Sequence, residues 1–133
     1  MSRRIARELV VQSLFQIDFT ECSAQAALDA ALAEREKQAA AEAVAYAAQV
    51  LEGVLANRDA IDERIGSYAI DWTVERMPAM DRNILRLAVY ELFFAEEKLA
   101  AGVAINEAVE IAKMYGTDES PKFINGVLGK MVR

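Results

Sequence analysis

Three arginines near the start of the chain are the first residues whose type and spacing suggest chemistry. Arg3, Arg4 and Arg7 are one, three and four positions apart, so a helix would place them on one side of its first two turns. Guanidinium groups bind phosphates through paired hydrogen bonds, and the N-terminus of a helix adds backbone donors. The spacing therefore predicts a phosphate-binding cluster.

A second candidate cluster lies near the end of the chain. Lys113, Lys122 and Phe123 stand close in sequence to Gly126 and Gly129. The glycines carry no side chain, so a sugar–phosphate backbone or a neighbouring helix could come close to them. Phe123 would either stack on an unpaired base, a contact worth about 1–3 kcal/mol, or pack in the core. The sequence decides neither what approaches the glycines nor whether Phe123 stacks on a base or packs in the core.

Catalytic and metal-binding patterns are missing from the sequence. The chain has no histidine, and its single Cys22 excludes an internal disulfide and a multi-cysteine zinc site. Acidic neighbours such as Glu96 and Glu97 would diverge on a helix, so they do not predict an acid–base pair. We therefore predict no catalytic residue, no metal and no cofactor.

Composition and periodicity predict the elements that carry these residues. With 133 residues, 54% of them hydrophobic, two prolines and six glycines, the chain fits one all-α domain spanning residues 1–133. About seven helices are expected. They would run from Ser2 or Arg3 to Phe19, from Ser23 to about Gln38, from Ala40 to Ile65, from Asp71 to Pro78, from Ala79 to Glu96, from Val103 or Ala104 to Tyr115, and onward from Ser120 as N-cap.

The net charge of −6 is distributed unevenly along the chain. Residues 1–17 and 113–133 each carry a net charge of +2, whereas residues 18–112 hold 8 basic and 18 acidic side chains. If the two ends meet in space, they form a local basic patch; otherwise the helices simply scatter charge over the surface. Glu8, Gln12 and Gln16 interrupt the apolar run of the N-terminus, so we expect a soluble cytoplasmic protein.

Four segments together resemble one family. The opening RRIARELVVQSLFQID resembles the RRxARExAxQxLYQxD start of the NusB transcription antitermination family, and MDRNILRLAVYEL resembles its central helix. VAINEAVEIAKMYGT and SPKFINGVLGKM are similar to its C-terminal signature. The matches run in the family's order from Arg3 to Met131, and only the alanine-rich stretch of residues 21–57 has no counterpart among these motifs.

The resemblance implies a fold of two three-helix subdomains and a role in antitermination on ribosomal RNA operons. It also implies that the first helix and the C-terminal helices lie together, which would fuse the two basic ends into one patch. Such a protein pairs with the ribosomal protein NusE, and the pair holds single-stranded boxA RNA for a transcribing RNA polymerase. The positions that match the family's RNA-binding segments are Arg3, Arg4, Arg7, Lys113, Lys122 and Phe123, with Glu119 on the neighbouring acidic loop. Phe15 and Asp81 match positions near its NusE surface.

This sequence departs from the family pattern at three positions. Ile5 interrupts the arginine run, Gly129 stands where an acidic residue is common, and Phe15 replaces a usual tyrosine. Two other functions stay open. One is a NusB-like domain of a ribosomal RNA methyltransferase, and the other is a module that binds only proteins. The sequence also leaves open whether the chain is a monomer or a homodimer.

Overall fold

A computed structural model describes residues 3–69 and 73–133, and the described part is all-helical. It contains seven α-helices, a 3-10 turn at Val74–Arg76 and a π-helical turn at Tyr90–Phe94, without any strand in those two ranges. The all-α prediction is confirmed. The helices are α1 (Arg3–Phe19), α2 (Ala24–Ala33), α3 (Ala41–Ala56), α4 (Arg58–Tyr68), α5 (Ala79–Val89), α6 (Ala101–Tyr115) and α7 (Ser120–Met131).

Helix α2 begins where its cap was expected. The hydroxyl of Ser23 accepts a hydrogen bond from the backbone N–H of Ala26 at 3.0 Å, which satisfies one of the unpaired donors of the first turn. The helix ends at Ala33, earlier than predicted. The predicted start of the short fourth helix, with Asp71 and Trp72, lies outside the described residues, and the part after it is the 3-10 turn.

The prediction of one long helix from Ala40 to Ile65 is wrong. The chain leaves the helix at Asn57, whose backbone takes φ −110° and ψ 13°. Its side-chain amide donates to the carbonyl oxygen of Gly53 at 2.8 Å, so the asparagine competes for a backbone group of the helix. Buried apolar residues continue across the break, from Leu51 and Val54 on α3 to Ile61 and Ile65 on α4, whereas Arg58 between them is exposed.

The helices form two groups around one continuous hydrophobic cluster. Helices α1, α2 and α3 pack together, α5, α6 and α7 pack together, and α4 lies against α5 and α7. This arrangement agrees with the expected pair of three-helix subdomains. The largest fully buried side chains come from both groups and include Leu9, Leu14, Leu51, Ile84, Ile111, Ile124 and Leu128.

Helix α1 joins the two groups by running antiparallel to α5. Arg7 near its beginning contacts Glu91 just after α5, and Asp18 near its end contacts Arg82 at the beginning of α5. The molecule therefore has two distinct ends, one at the beginning of α1 and one at the beginning of α5. Within the described residues, no helix has the length and apolar character that a bilayer crossing requires.

Candidate nucleic-acid interface

The three N-terminal arginines have different environments. Arg7 is only 5% exposed. Its Nε lies 2.9 and 3.1 Å from the two carboxylate oxygens of Glu91, and its Nη1 lies 3.3 Å from Glu107. Burial alone would lower the pKa of Arg7, but the hydrogen bond and the charge of Glu91 raise it. The expectation that Arg7 contacts RNA needs an accessible guanidinium, and the structure encloses this one between carboxylates.

Arg4 is partly exposed and forms a paired contact with one carboxylate. Its Nε and Nη2 donate to the two oxygens of Glu107 at 2.7 and 2.6 Å. The hydrogen bond from Arg4 lowers the pKa of Glu107, so that carboxylate stays ionised at neutral pH. The fork of Arg4 that would bind a phosphate is therefore occupied, and its charge is balanced by Glu107.

Arg3 is the exposed member of the cluster. Its guanidinium carbon lies 4.1 Å from the centre of the Tyr46 ring, a cation–π stack between α1 and α3. Within residues 3–69 and 73–133, Arg3 forms no salt bridge. Of the three arginines, Arg3 has the guanidinium best placed to receive a phosphate.

Lys113 lies on α6, whose side chains reach the first half of α1. Arg4 reaches Glu107 on α6, and the Tyr115 hydroxyl donates to Glu8 at 2.9 Å. Lys113 is exposed and forms a salt bridge with Glu110 at 2.9 Å. An exposed pair of this kind contributes little to stability, so Lys113 can exchange its partner for a phosphate at low cost.

Lys122 and Phe123 line a cleft of about 540 Å³ where α7 lies beside the end of α4 and the beginning of α5. Phe123 is half-buried: it packs against the core and also forms part of the cleft wall. Tyr68 lies on the opposing element, Lys130 extends the basic side of the cleft, and Glu119 adds a carboxylate to its lining. An apolar wall with two lysines fits a nucleobase and its phosphates.

The two glycines of α7 have open space beside them. A Cβ atom at Gly126 or Gly129 would meet nothing within 4 Å in the described part of the chain. The alternative in which these glycines allow close helix–helix packing is therefore wrong. Gly126 lines the cleft and widens it, so a larger side chain there would occupy space that a ligand needs.

A buried hydroxyl–carboxylate pair fixes the beginning of α7. Ser120 accepts from the backbone N–H of Thr117 at 2.9 Å and donates to Oδ1 of Asp81 at 2.6 Å. A Cβ at Gly116 would lie 2.4 Å from the Ser120 hydroxyl oxygen, so this close approach requires glycine. Ser120 was expected as N-cap, but it occupies the first turn of α7 and its hydroxyl binds the preceding loop and α5.

Asp81 was expected near the partner surface, yet its side chain is enclosed. The residue is 5% exposed, and burial raises the pKa of its carboxyl, although the Ser120 hydrogen bond opposes that shift. A direct partner contact through Asp81 needs an accessible carboxylate, which the structure does not provide. Its role here is to join α5 to α7 beside the cleft.

An exposed aromatic pair lies near the end of α1. Phe15 is 37% exposed and Phe19 66% exposed, and their ring centres are 4.9 Å apart in a tilted arrangement. Phe15 was expected at a partner surface, whereas Phe19 was missed. Phe19 lies four residues after Phe15, so a helix places the two rings on the same side, and this spacing could have predicted the pair. Two exposed phenylalanines side by side are typical of a protein-binding patch.

The expectation that the two basic ends fuse into one patch is wrong. Arg3 lies at the beginning of α1, whereas the first turn of α7 is tied to Asp81, next to the residues of α5 that bind Asp18 at the end of α1. Helix α1 has 17 residues, a length of about 25 Å at 1.5 Å per residue. The candidate interface therefore has two separate basic sites, with Lys113 on the helix that leads from one toward the other.

Comparison with known proteins decides the family. A sequence profile described as the NusB family matches residues 4–133, which includes the alanine-rich stretch that the short motifs left unmatched. The chain belongs to the NusB family. A transcription antitermination protein NusB from Bdellovibrio bacteriovorus is 46% identical over 130 residues, covering 98% of this chain and 94% of the relative.

Solved NusB structures share the fold. A structure of T. maritima NusB superposes with a TM-score of 0.86 and 38% identity, covering 98% of this chain and 90% of that one. A NusB described in complex with NusE and double-stranded RNA superposes with a TM-score of 0.83 and 25% identity, covering 97% and 94%. The expected membership of the NusB family and its all-helical architecture are thereby confirmed.

Proposed function

We propose that this NusB-family chain is a non-catalytic transcription antitermination factor that binds RNA together with a NusE-type ribosomal protein. The observation that carries the proposal is the likeness, over 97% of the chain, to a NusB described with NusE and RNA. The name of the relative from Bdellovibrio bacteriovorus supports antitermination over the methyltransferase-domain alternative. The geometry supports a proposal for where each ligand would bind on this chain.

RNA would bind at the two basic sites. Arg3 would contact a phosphate near the beginning of α1, Lys113 would contact another on α6, and Lys122 would do so at the cleft. Phe123 would stack on a base that enters the cleft beside Tyr68. Three to five phosphate contacts give a log–log salt slope of about −2 to −3.5 on the single-strand rule.

The NusE-type partner would cover the exposed pair of Phe15 and Phe19. The end of α1 is a rigid support for such a contact, because Asp18 accepts from Arg82 at 2.8 Å and from Asn83 at 2.8 Å. A partner bound there and also touching the RNA would make the second contact intramolecular, which raises the overall affinity. NusE is therefore expected to strengthen RNA binding.

The family resemblance supports a more detailed proposal. The RNA would be the boxA element of a ribosomal RNA operon, and the complex would act on a transcribing RNA polymerase in the cytoplasm. The related complex contains double-stranded RNA, whereas stacking on Phe123 requires an unpaired base. The proposal that the RNA is single-stranded therefore requires a direct comparison of single-stranded and double-stranded boxA RNA.

Fluorescence anisotropy with labelled boxA RNA tests the proposal. Single-stranded boxA should bind more tightly than its duplex and than a scrambled strand, and NusE should lower the apparent Kd at least severalfold. Lys122→Gln and Phe123→Leu should each weaken binding. Arg58→Gln should not, because Arg58 is exposed at the beginning of α4 and lines neither the cleft of Lys122 nor that of Arg3. Equal affinity with and without NusE would contradict the cooperative proposal.

A matched glycine pair tests the cleft. Gly126→Leu should weaken RNA binding because the new side chain would extend into the cleft, whereas Gly129→Leu should leave binding unchanged because Gly129 does not line the cleft. Both variants replace a glycine of α7 that has open space beside it, so their effects on the fold should be alike. Equal RNA affinities in the two variants would exclude the cleft from the RNA-binding surface.

A module that binds only proteins is the second candidate. The observation that favours it is the neutralisation of Arg4 and Arg7 by carboxylates of this chain. It predicts NusE binding that depends on Phe15 and Phe19 and no measurable affinity for any of the RNAs above. Arg3→Gln would then change nothing, whereas Phe19→Ser would abolish the NusE complex.

A further inference from the structure

Tyr46 supports the one N-terminal arginine that is exposed and outside any described salt bridge. The guanidinium of Arg3 lies over its ring at 4.1 Å. Tyr46 belongs to α3, within the alanine-rich stretch that carries none of the family motifs quoted above.

One direct hydrogen bond and two supporting contacts fix the position of the Tyr46 ring. Its hydroxyl donates to Oε2 of Glu91 at 2.5 Å, and Glu91 is itself held by Arg7. Helix α3 comes close enough for this contact because Gly53 lies against the ring of Tyr90, where a Cβ would be only 2.4 Å from ring atoms. Burial and the Glu91 carboxylate raise the pKa of Tyr46 to about 12, so its hydroxyl remains a donor at neutral pH.

The stack leaves the donors of Arg3 available. A guanidinium on an aromatic ring uses its face, whereas its N–H groups lie in its plane and point outward from the edges. Arg4 shows the other arrangement, with two edge donors committed to Glu107. Holding Arg3 flat also reduces the side-chain freedom that would be lost when a phosphate binds.

Two carboxylates line the cleft in which Arg3 stacks on Tyr46. Glu96 and Glu97 line a small cleft of about 180 Å³ together with Arg3 and Tyr46. Neither forms a described salt bridge with Arg3, although both are exposed and close to it. Without the stack, Arg3 would be free to form a salt bridge with one of these carboxylates. Its guanidinium donors would then no longer be available to a phosphate.

We propose that Tyr46 is a positioning residue that presents the edge of Arg3 to a phosphodiester group of the bound RNA. The inference rests on the proposed function, and it explains why an exposed arginine is held in place on a folded surface. The buried set of Arg7 and Glu91 then acts at a distance. It anchors the tyrosine, and through it the arginine, without touching RNA.

A double-mutant cycle on the full chain with boxA RNA tests this proposal. Arg3→Gln should weaken binding about five- to tenfold and make the salt slope shallower by about 0.7, the value for one lost contact to a single strand. Tyr46→Leu should weaken binding about two- to fivefold, the range expected for an exposed cation–π stack. The double variant should bind like Arg3→Gln alone, because Tyr46 acts only through Arg3.

Conservative and control variants separate positioning from folding. Tyr46→Phe keeps the ring and should bind RNA within about twofold of the natural chain, even if it unfolds at lower urea because Glu91 loses a donor. Arg58→Gln removes an exposed arginine of another helix and should not change affinity or slope. A loss of RNA affinity as large in Tyr46→Phe as in Tyr46→Leu would overturn the positioning role.

The results also distinguish this inference from the proposed function. If Arg3→Gln weakens RNA binding but Tyr46→Leu does not, or if the two losses simply multiply in the double variant, the positioning role is wrong and RNA binding stands. If the natural chain does not bind RNA, or Arg3→Gln leaves binding unchanged, the proposed phosphate contact fails first, and the positioning role fails with it.

Discussion

The hydroxyl of Ser120 lies 2.6 Å from Oδ1 of Asp81 and so connects the first turn of α7 to the first turn of α5. Both residues are almost fully buried, and the same hydroxyl accepts from the backbone N–H of Thr117. One side chain therefore fixes the loop before α7 and the position of the helix that carries Lys122 and Phe123. The cleft depends on this contact.

Ser120→Ala should destabilise the fold and weaken RNA binding together. The substitution leaves the buried Asp81 carboxylate without its donor and the Thr117 N–H without its acceptor, a loss of about 1–3 kcal/mol in the free energy of unfolding. Urea denaturation followed by circular dichroism measures it. Ser67→Ala removes an exposed serine hydroxyl and should change stability by less than about 0.5 kcal/mol. Equal midpoints for the two variants would show that the Ser120–Asp81 contact contributes nothing.

Asp18→Asn should be among the most destabilising substitutions at a polar position. Its carboxylate accepts from Arg82, Asn83 and Arg86, and Arg86 is nearly buried. Arg86 keeps its paired contact with Asp62, but Arg82 loses its carboxylate partner, so the substitution should cost about 1–3 kcal/mol in urea denaturation. The matched control is Asp29→Asn on the exposed face of α2, which should cost less than about 0.5 kcal/mol. A small loss for Asp18→Asn would mean that water replaces the carboxylate.

The contributions of the Asp18 and Asp81 carboxyl groups to the free energy of unfolding should change with pH in opposite directions. Burial alone would raise the pKa of Asp18, but hydrogen bonds from Arg82 and Asn83 lower it, so its contribution is present above about pH 4 and is lost as the pH falls further. The deficit of Asp18→Asn should therefore shrink in acid. For Asp81, whose pKa is raised, the favourable contribution is present below about pH 4 and is lost as the pH rises.

Asp81→Asn should accordingly gain stability relative to the natural chain between about pH 4 and pH 7, because it removes a buried charge and keeps an acceptor for Ser120. Urea midpoints for both variants and the natural chain across this range measure the effect. Parallel curves for Asp18→Asn and Asp81→Asn would contradict the opposite environments of the two carboxyl groups.

Gly53→Ala and Gly126→Ala should change stability in opposite directions. A Cβ at Gly53 would lie 2.4 Å from the Tyr90 ring, so the ring or α3 must move, at a cost of about 1–3 kcal/mol. A Cβ at Gly126 meets nothing, and alanine in a helix interior is favoured over glycine by about 0.5–1 kcal/mol. Thermal unfolding of the two variants provides the comparison. Stabilisation of both would show that Tyr90 does not depend on glycine at position 53.

Local patterns in the sequence predicted the helices that have clear ends. Ser23 before α2 and Pro121 in the first turn of α7 are signals that act within a few residues, so they could be found without tertiary information. The break at Asn57 was missed because an asparagine on a helix surface and one that ends a helix look alike in sequence. The apolar spacing continued across it and favoured one long helix.

The candidate site was only partly predictable because spacing fixes the side of a helix and not what packs against that side. The pattern placed Arg3, Arg4 and Arg7 on one side of α1, but Arg3 stacks on a residue of α3. The carboxylates that bind Arg4 and Arg7 come from residues 84 to 103 positions away. The stack of Arg3 on Tyr46 likewise joins two helices, α1 and α3, that are distant in sequence. Such contacts exist only after the helices assemble, so the sequence predicted a basic cluster where the structure has one exposed arginine.

The most direct test of RNA binding at two separate basic sites is an NMR titration of the isotope-labelled chain with single-stranded boxA RNA. Amide resonances should shift most at the beginning of α1, around Lys113, and from Thr117 to Lys130, with those of α2 unaffected. The amide resonances of both basic sites should shift together, with the same dependence on RNA concentration. Shifts confined to the aromatic pair at the end of α1, or no shifts at any RNA concentration, would contradict the assignment.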